Sequence, residues 1–229
     1  MTFELAVRLT EALLGFAFII QSAEHLSLSQ GVRTRALFGI RLVLSVLLMA
    51  GIAPVVSCIA LLVTTLLMLR RFQGPYNGGS DRMGSLILIC LVLTHSLPDP
   101  LWKTYAFGYL SIQLILSYFI SGWVKVVNRD WRTGRALQDV FLFSAYPVTD
   151  VLRDLAKRPR LLWALSWSVM LLELAFPFAL FWPWTLIGFL ILAGLFHLSN
   201  ACFFGLNRFF WTWLAAYPSL LWFQDRFIL

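Results

Sequence analysis

The chain has 229 residues, of which 60% are hydrophobic, 16% are aromatic and only 13% are charged. Soluble globular domains carry about 45–50% apolar and about 25% charged residues, so this composition excludes a soluble domain. The net charge of +7 does not indicate nucleic-acid binding, because most basic residues fall in a few loops between apolar runs. We therefore expect an integral membrane protein whose partners are membrane lipids and other membrane proteins, with no nucleic acid.

Apolar runs separated by helix breakers predict an all-α, polytopic bundle of about eight transmembrane helices in a single domain, residues 1–229. Pro54 predicts a tight turn, the Pro98–Pro100 segment ends a helix, and Pro177 predicts a kink. The predicted helices, in chain order, are about Phe3–Ser22, Leu37–Ile52, Val55–Leu69, Met83–Leu97, Leu101–Val126, Leu161–Phe181, Trp184–Phe203 and Phe209–Phe223.

The long polar insert between the fifth and sixth predicted helices, about residues 128–159, mixes apolar residues at helical spacing with arginine and aspartate. This pattern predicts one or two short amphipathic helices on the inner leaflet. Two roles stay open for the insert: a connector anchored to anionic lipid, or a lid over a site in the membrane. Most of the 18 basic residues lie in this insert and in the other loops on the same side. The positive-inside rule therefore predicts cytoplasmic basic loops and external termini in a bacterial-type inner membrane.

Several polar residues lie at or near membrane depth, where ionisable groups are costly and mark a functional site by default. In the predicted topology they share the cytoplasmic half of the bundle although they come from separate helices. These residues are His25, Arg41, Asn77, Asp81, Lys125, His197 and Asn200. Their common depth predicts a binding pocket. The cysteines contain no C-x-x-C pair, and no metal site is predicted.

Each of these residues also has a structural interpretation. Arg41 could extend to the headgroups or pair with Glu24 or Asp81. His197 and Asn200 could form hydrogen bonds between packed helices, as could Glu173. Lys125 could be an interfacial anchor, and the polar loop Gln73–Asp81 could be a tight turn.

Two stretches resemble a known family. The first is Tyr118–Lys125 (YFISGWVK), followed by Asp130-Trp131 and Gly134. It resembles the helix-end motif of the vitamin K-dependent γ-carboxylase family and its bacterial relatives, the horizontally transferred transmembrane (HTTM) proteins. The second, from His197-Leu198 to Tyr217-Pro218, resembles the late helix pair of that group. The Asn77–Asp81 turn also lies where those proteins carry a polar loop, and the resemblance covers about residues 30–220.

The resemblance implies that Lys125 is the base that deprotonates a bound hydroquinone, the role of a lysine in the carboxylase motif. This sequence lacks the histidine of the family's polar loop and the large extramembrane domain, and Lys125 is predicted on the cytoplasmic side. We therefore expect a quinone or isoprenoid pocket rather than glutamate carboxylation. His197, Asn200, Asn77, Arg41, Asp81 and His25 are its expected lining.

A different class of function also fits the sequence. The protein could be a non-catalytic integral subunit of a larger membrane complex, with its polar residues linking helices. A transporter is a third hypothesis, although the sequence shows no inverted repeat.

Overall fold

The structure, a computed structural model, describes residues 1–28, 31–71, 78–143 and 149–228, and its regular elements in those ranges are all helical. Two segments are 3-10 helices, Asp154–Lys157 and Phe176–Phe181. The α-helices are α1 (Phe3–Leu28), α2 (Val32–Ala50), α3 (Pro54–Arg71), α4 (Gly78–Ser96), α5 (Pro100–Val127), α6 (Arg129–Arg132), α7 (Arg135–Phe143), α8 (Asp150–Arg153), α9 (Pro159–Ala175), α10 (Pro183–Phe204) and α11 (Asn207–Phe227).

The eight predicted helices coincide with the eight long helices of the described residues, α1 to α5 and α9 to α11. The sixth predicted helix, Leu161–Phe181, is α-helical only as far as Ala175 and continues as the 3-10 helix Phe176–Phe181, which contains Pro177. The loop predicted up to Asp81 is wrong in its second half, since α4 already begins at Gly78. Asp81 lies in the first turn of α4, where the helix dipole stabilises a negatively charged side chain. Asn77 lies outside the described residues.

Among the described residues, three helical segments are long and apolar enough to cross a membrane: Pro100–Val127, Pro159–Phe181 and Pro183–Phe204. Many large apolar side chains are exposed, including those of Val32 and Trp184, which are 83% and 82% exposed. Such a surface is stable only where lipid or another apolar partner covers it. The chain is therefore a helical membrane protein.

The chain divides into two compact units. The first unit contains residues 1–112 and 211–227, and the second contains residues 113–210. In the first unit α1 packs along α2 at Gly15, where a Cβ atom would lie 2.8 Å from the backbone nitrogen of Met49. Arg8 of α1 donates hydrogen bonds to the last carbonyls of α2, at Leu48 (3.0 Å) and Met49. The Leu48 carbonyl also accepts the Gly51 N–H at 3.0 Å, so Arg8 and the backbone cap at Gly51 together satisfy the carbonyl end of α2.

In the second unit the polar insert folds against α9. Its described residues form three short helices and one 3-10 turn, where one or two helices were predicted. A small apolar cluster of Phe141, Ala156, Leu162 and Phe204 joins the insert to α9 and α10. The insert is therefore fixed by burial of its apolar face on the rest of the second unit.

Candidate functional site

The last two turns of α5 carry a polar site in the second unit. Lys125 Nζ lies 2.7 and 2.6 Å from the two carboxylate oxygens of Glu173 on α9, and 2.6 Å from Ser121 Oγ. Ser121 donates to the same carboxylate at 3.2 Å. Ser121 and Lys125 are one helical turn apart, so they share one face of α5. We call this arrangement the Lys125–Glu173 pair.

The Lys125–Glu173 pair is nearly enclosed. The side chains of Lys125 and Glu173 are 15% and 4% exposed. At this burial each charge depends on the other, because water no longer solvates either one fully. Each ammonium hydrogen has an acceptor within reach, two on the carboxylate and one on Ser121.

Gly122 explains why α5 and α9 approach closely enough for this contact. A Cβ atom at Gly122 would lie 2.8 Å from the backbone nitrogen of Leu174 and 2.9 Å from Glu173 Cβ. Any larger residue would push the two helices apart, because backbone atoms cannot rotate away as a flexible side chain can. The glycine in the motif thus sets the distance at which Lys125 reaches Glu173.

The residues that follow the lysine complete the same wall of the site. The Trp131 ring centroid lies 5.3 Å from Lys125 Nζ, within the range of a cation–π contact. The Trp131 carbonyl accepts a 2.5 Å hydrogen bond from Ser166 on α9. Gly134 has φ +80°, and a Cβ there would lie 2.8 Å from the backbone of Trp163. Both constraints hold the short helix α6 against α9 beside the lysine.

On the same face of α5, two turns before the lysine, Tyr118 contacts His197 of α10. The Tyr118 hydroxyl lies 2.9 Å from His197 Nε2, and the Tyr118 ring stacks on Phe176 with centroids 4.0 Å apart. Both Tyr118 and His197 are buried. Asn200 follows one turn later on α10, where it is half-buried and its carbonyl accepts the Leu206 N–H at 3.3 Å. Lys125 and His197, predicted as site residues, are therefore both anchored to one helix face.

Arg41 belongs to the first unit and is fully buried there. Its guanidinium donates to the hydroxyls of Thr65 (2.6 Å) and Thr64 (3.2 Å) and to the Gln21 side-chain carbonyl (3.1 Å). The Phe18 ring lies 4.0 Å from the guanidinium carbon. Arg41 therefore does not extend to the headgroups. The hydroxyls of Thr64 and Thr65, the Gln21 amide and the face of Phe18 help to hold it inside the unit.

Gln21 links Arg41 to Asp81, because its amide nitrogen donates to Asp81 Oδ1 at 3.3 Å. The Gln21 amide thus bridges Arg41 and Asp81, and a direct pair between these two residues stays a prediction. His25 lies at the end of α1, where its ring meets Phe38 edge-on at 4.2 Å between centroids. These residues form a second polar group, within the first unit.

The sequence predicts Glu173 only as a separate link between helices. It does not predict Tyr118, Ser121 or Gln21 as site residues. One signal could have found two of them, since Tyr118 and Ser121 lie one helical turn apart on the face that carries Lys125. Gln21 was visible as an amide inside an apolar helix, but its two partners lie on other helices. No local pattern predicts such a contact.

Residues 93–225 match the family model of the HTTM domain. The chain belongs to the HTTM family. The match covers the Lys125–Glu173 pair and the Tyr118–His197 hydrogen bond of this HTTM protein, and it confirms the predicted resemblance to the HTTM family. Searches of curated proteins and of solved structures return no match for the chain.

Proposed function

We propose that this HTTM protein binds a quinone or a similar isoprenoid at the Lys125–Glu173 pair and exchanges protons with it. The single observation that supports this function is a nearly buried ammonium–carboxylate pair with contacts of 2.6 and 2.7 Å, whose lysine comes from the family motif. Ionisable pairs at membrane depth are costly and are most often functional.

The proposal places the protein in a bacterial inner membrane with about eight crossings. The eight long helices are 17 to 28 residues long, and about 17 to 25 residues suffice to span the hydrocarbon core. The charge distribution supports cytoplasmic basic loops and external termini.

The residues at the pair fit a hydroquinone. Its hydroxyl group would approach the pair at Lys125, the more accessible partner with a side chain 15% exposed, and would share the Lys125 ammonium with Ser121 Oγ. The Trp131 ring offers an apolar face at the same point. When bound, a quinone supplies two-electron redox chemistry coupled to two protons.

The protein's own part is proton transfer. Movement of one proton from Lys125 Nζ to a Glu173 oxygen, across 2.6 Å, converts the ion pair into a neutral amine and a carboxylic acid. The neutral amine is then the base, and the same pair can return the proton later. Ser121 holds Nζ in position, and the apolar surroundings keep bulk water away.

The Tyr118–His197 hydrogen bond adds a second exchangeable proton on the same helix face. We propose His197 and Asn200 as lining residues near the lysine. The remaining residues predicted to line the pocket stay a prediction: Asn77, Arg41, Asp81 and His25.

The test is organic extraction and mass spectrometry of lipids that copurify with the detergent-solubilised protein. We expect a stoichiometric quinone in the wild type and in Lys157→Ala, whose lysine forms an exposed pair with Asp154. Lys125→Ala should lose it. A wild type without an enriched quinone would refute the proposal and favour a non-catalytic membrane subunit.

Folding has to be separated from binding in this experiment, because Lys125→Ala leaves the Glu173 carboxylate buried without its cation. The double variant Lys125→Met, Glu173→Gln removes both charges together and should fold. It should also lack the quinone. Retention of the quinone by the folded double variant would show that the pair does not hold it.

A further inference from the structure

The first unit contains a cavity that the proposed quinone site does not use. Its volume is about 790 Å³, within the range of roughly 300–1,000 Å³ typical of small-molecule sites. The walls come from the first turns of α1 and α5 and the last turns of α4 and α11. Phe3 and Trp222 form an aromatic wall, with ring centroids 5.2 Å apart.

A buried carboxylate orients a histidine at this cavity. The Glu11 side chain is 3% exposed, and one of its oxygens accepts a 2.9 Å hydrogen bond from Arg8. The other oxygen contacts His95 Nε2. Because Arg8 and the end of α2 hold the carboxylate in place, the ring of His95 has a defined orientation.

His95 keeps one ring nitrogen for a ligand. Within the described part of the chain, the His95 ring makes one hydrogen bond, between its Nε2 and Glu11. The side chain is 24% exposed and lines the cavity. With Nε2–H directed at Glu11, Nδ1 accepts a hydrogen bond in the neutral ring and donates one when the ring is protonated.

Two basic side chains of the cavity wall, Lys103 and Arg226, are available to a ligand. In the part of the chain that the structure describes, neither Lys103 nor Arg226 forms a side-chain salt bridge or hydrogen bond. Of the carboxylates around the cavity, Glu11 is held by Arg8, and Asp225 pairs with the amino group of Met1. Glu4 alone remains to balance two positive charges, so the cavity favours an anion.

We propose that this cavity is a phosphate-binding site, in which Lys103 and Arg226 hold the phosphate oxygens and His95 Nδ1 accepts a hydrogen bond from a phosphate hydroxyl. A phosphate carried by a lipid headgroup and a free phosphate in solution share this chemistry. The aromatic and aliphatic part of the wall accommodates the apolar portion of a lipid.

The test uses two probes on the purified full-length protein, short-chain phosphatidic acid and inorganic phosphate, with binding measured by calorimetry. Each charge-assisted hydrogen bond contributes about tenfold or more to affinity, so we expect Lys103→Gln with Arg226→Gln to weaken binding by about a hundredfold or more. The matched control, Arg135→Gln with Arg160→Gln, removes the same charge from exposed positions of the second unit and should bind as the wild type does.

Competition between the two probes distinguishes a lipid phosphate from a free phosphate. Phosphatidic acid that binds without competition from inorganic phosphate assigns the site to a lipid, and displacement by inorganic phosphate assigns it to a soluble anion. Binding of neither probe to the wild type, or equal binding by the Lys103/Arg226 variant at an unchanged unfolding temperature, would overturn the proposal. An equal loss in the control would also overturn it.

The role of His95 is tested by substitution at constant pH. Its ring faces Glu11 directly and Arg8 through Glu11, and the other charged groups at the cavity are the Met1 amino group, Glu4, Lys103, Asp225 and Arg226. His95→Phe keeps a flat ring but removes Nδ1, so it should weaken the binding of both probes. Equal binding by His95→Phe and the wild type, at an unchanged unfolding temperature, would remove the histidine from the site.

Discussion

Breaking the Lys125–Glu173 pair tests the central feature of the candidate site. The substitution Lys125→Met removes the ammonium and leaves the Glu173 carboxylate 4% exposed with one hydroxyl donor, Ser121. Removal of one partner from a buried pair costs about 3–5 kcal/mol, because the other charge stays buried without compensation. We expect a loss of that size in the free energy of unfolding.

Removal of the other charge, by Glu173→Gln, should lower the free energy of unfolding by less. Glu173→Gln keeps the shape of the side chain and one carbonyl acceptor, and Lys125 is the more exposed partner at 15%. We expect a loss of about 1–3 kcal/mol for a hydrogen-bonded charge that keeps part of its solvation. The double variant carries no unpaired charge, so its loss should be smaller than the sum of the two single losses. The difference is the coupling energy of the pair.

The assay is equilibrium unfolding in mixed detergent micelles with increasing dodecyl sulfate, followed by tryptophan fluorescence. Lys157→Met is the control, because Lys157 and Asp154 lie equally close, at 2.6 Å, but are 79% and 64% exposed. Hydrogen bonding to Asp154 raises the pKa of Lys157, yet so exposed a pair contributes little to stability, and no change is expected. Strictly additive losses in the Lys125 and Glu173 variants would refute our account of the site.

Three further substitutions test the packing around the polar groups by the same assay. Gly122→Ala should destabilise the protein by about 1–3 kcal/mol, because its Cβ would meet backbone atoms at 2.8 Å. Gly188→Ala is the control and should not destabilise the protein, because a Cβ at Gly188 meets no atom within 4 Å. Equal effects of the two substitutions would contradict the close approach of α5 and α9. Tyr118→Phe should cost about 1–3 kcal/mol, because it removes the buried hydroxyl that bonds His197 Nε2. A neutral result would argue against that bond. Arg41→Lys should lower stability although it keeps the charge, since one ammonium cannot reach all the acceptors of the guanidinium; full retention would contradict the buried network.

Much of this protein can be predicted without its tertiary structure. A composition with 13% charged residues excludes a water-exposed surface, and apolar runs broken by proline predict the eight long helices to within a few residues. The exceptions lie at polar helix ends: α1 continues to Leu28, α2 begins at Val32 and α4 begins at Gly78, because a helix can extend past its apolar run into polar residues. Short stretches around Lys125 and from His197 to Pro218 were enough to predict the family.

Which polar groups meet was decided only by packing. An apolar run indicates that a helix is buried in lipid or protein, but its sides are nearly equally apolar, so its rotation about its own axis is not encoded locally. The absence of a side chain at Gly122 lets α5 approach α9 in the one orientation that directs Lys125 at Glu173. Likewise Gln21 joins Arg41 to Asp81 across three helices. The sequence by itself therefore determined the membrane class, the helices and the family, while helix rotation and close packing determined the partners of each charge.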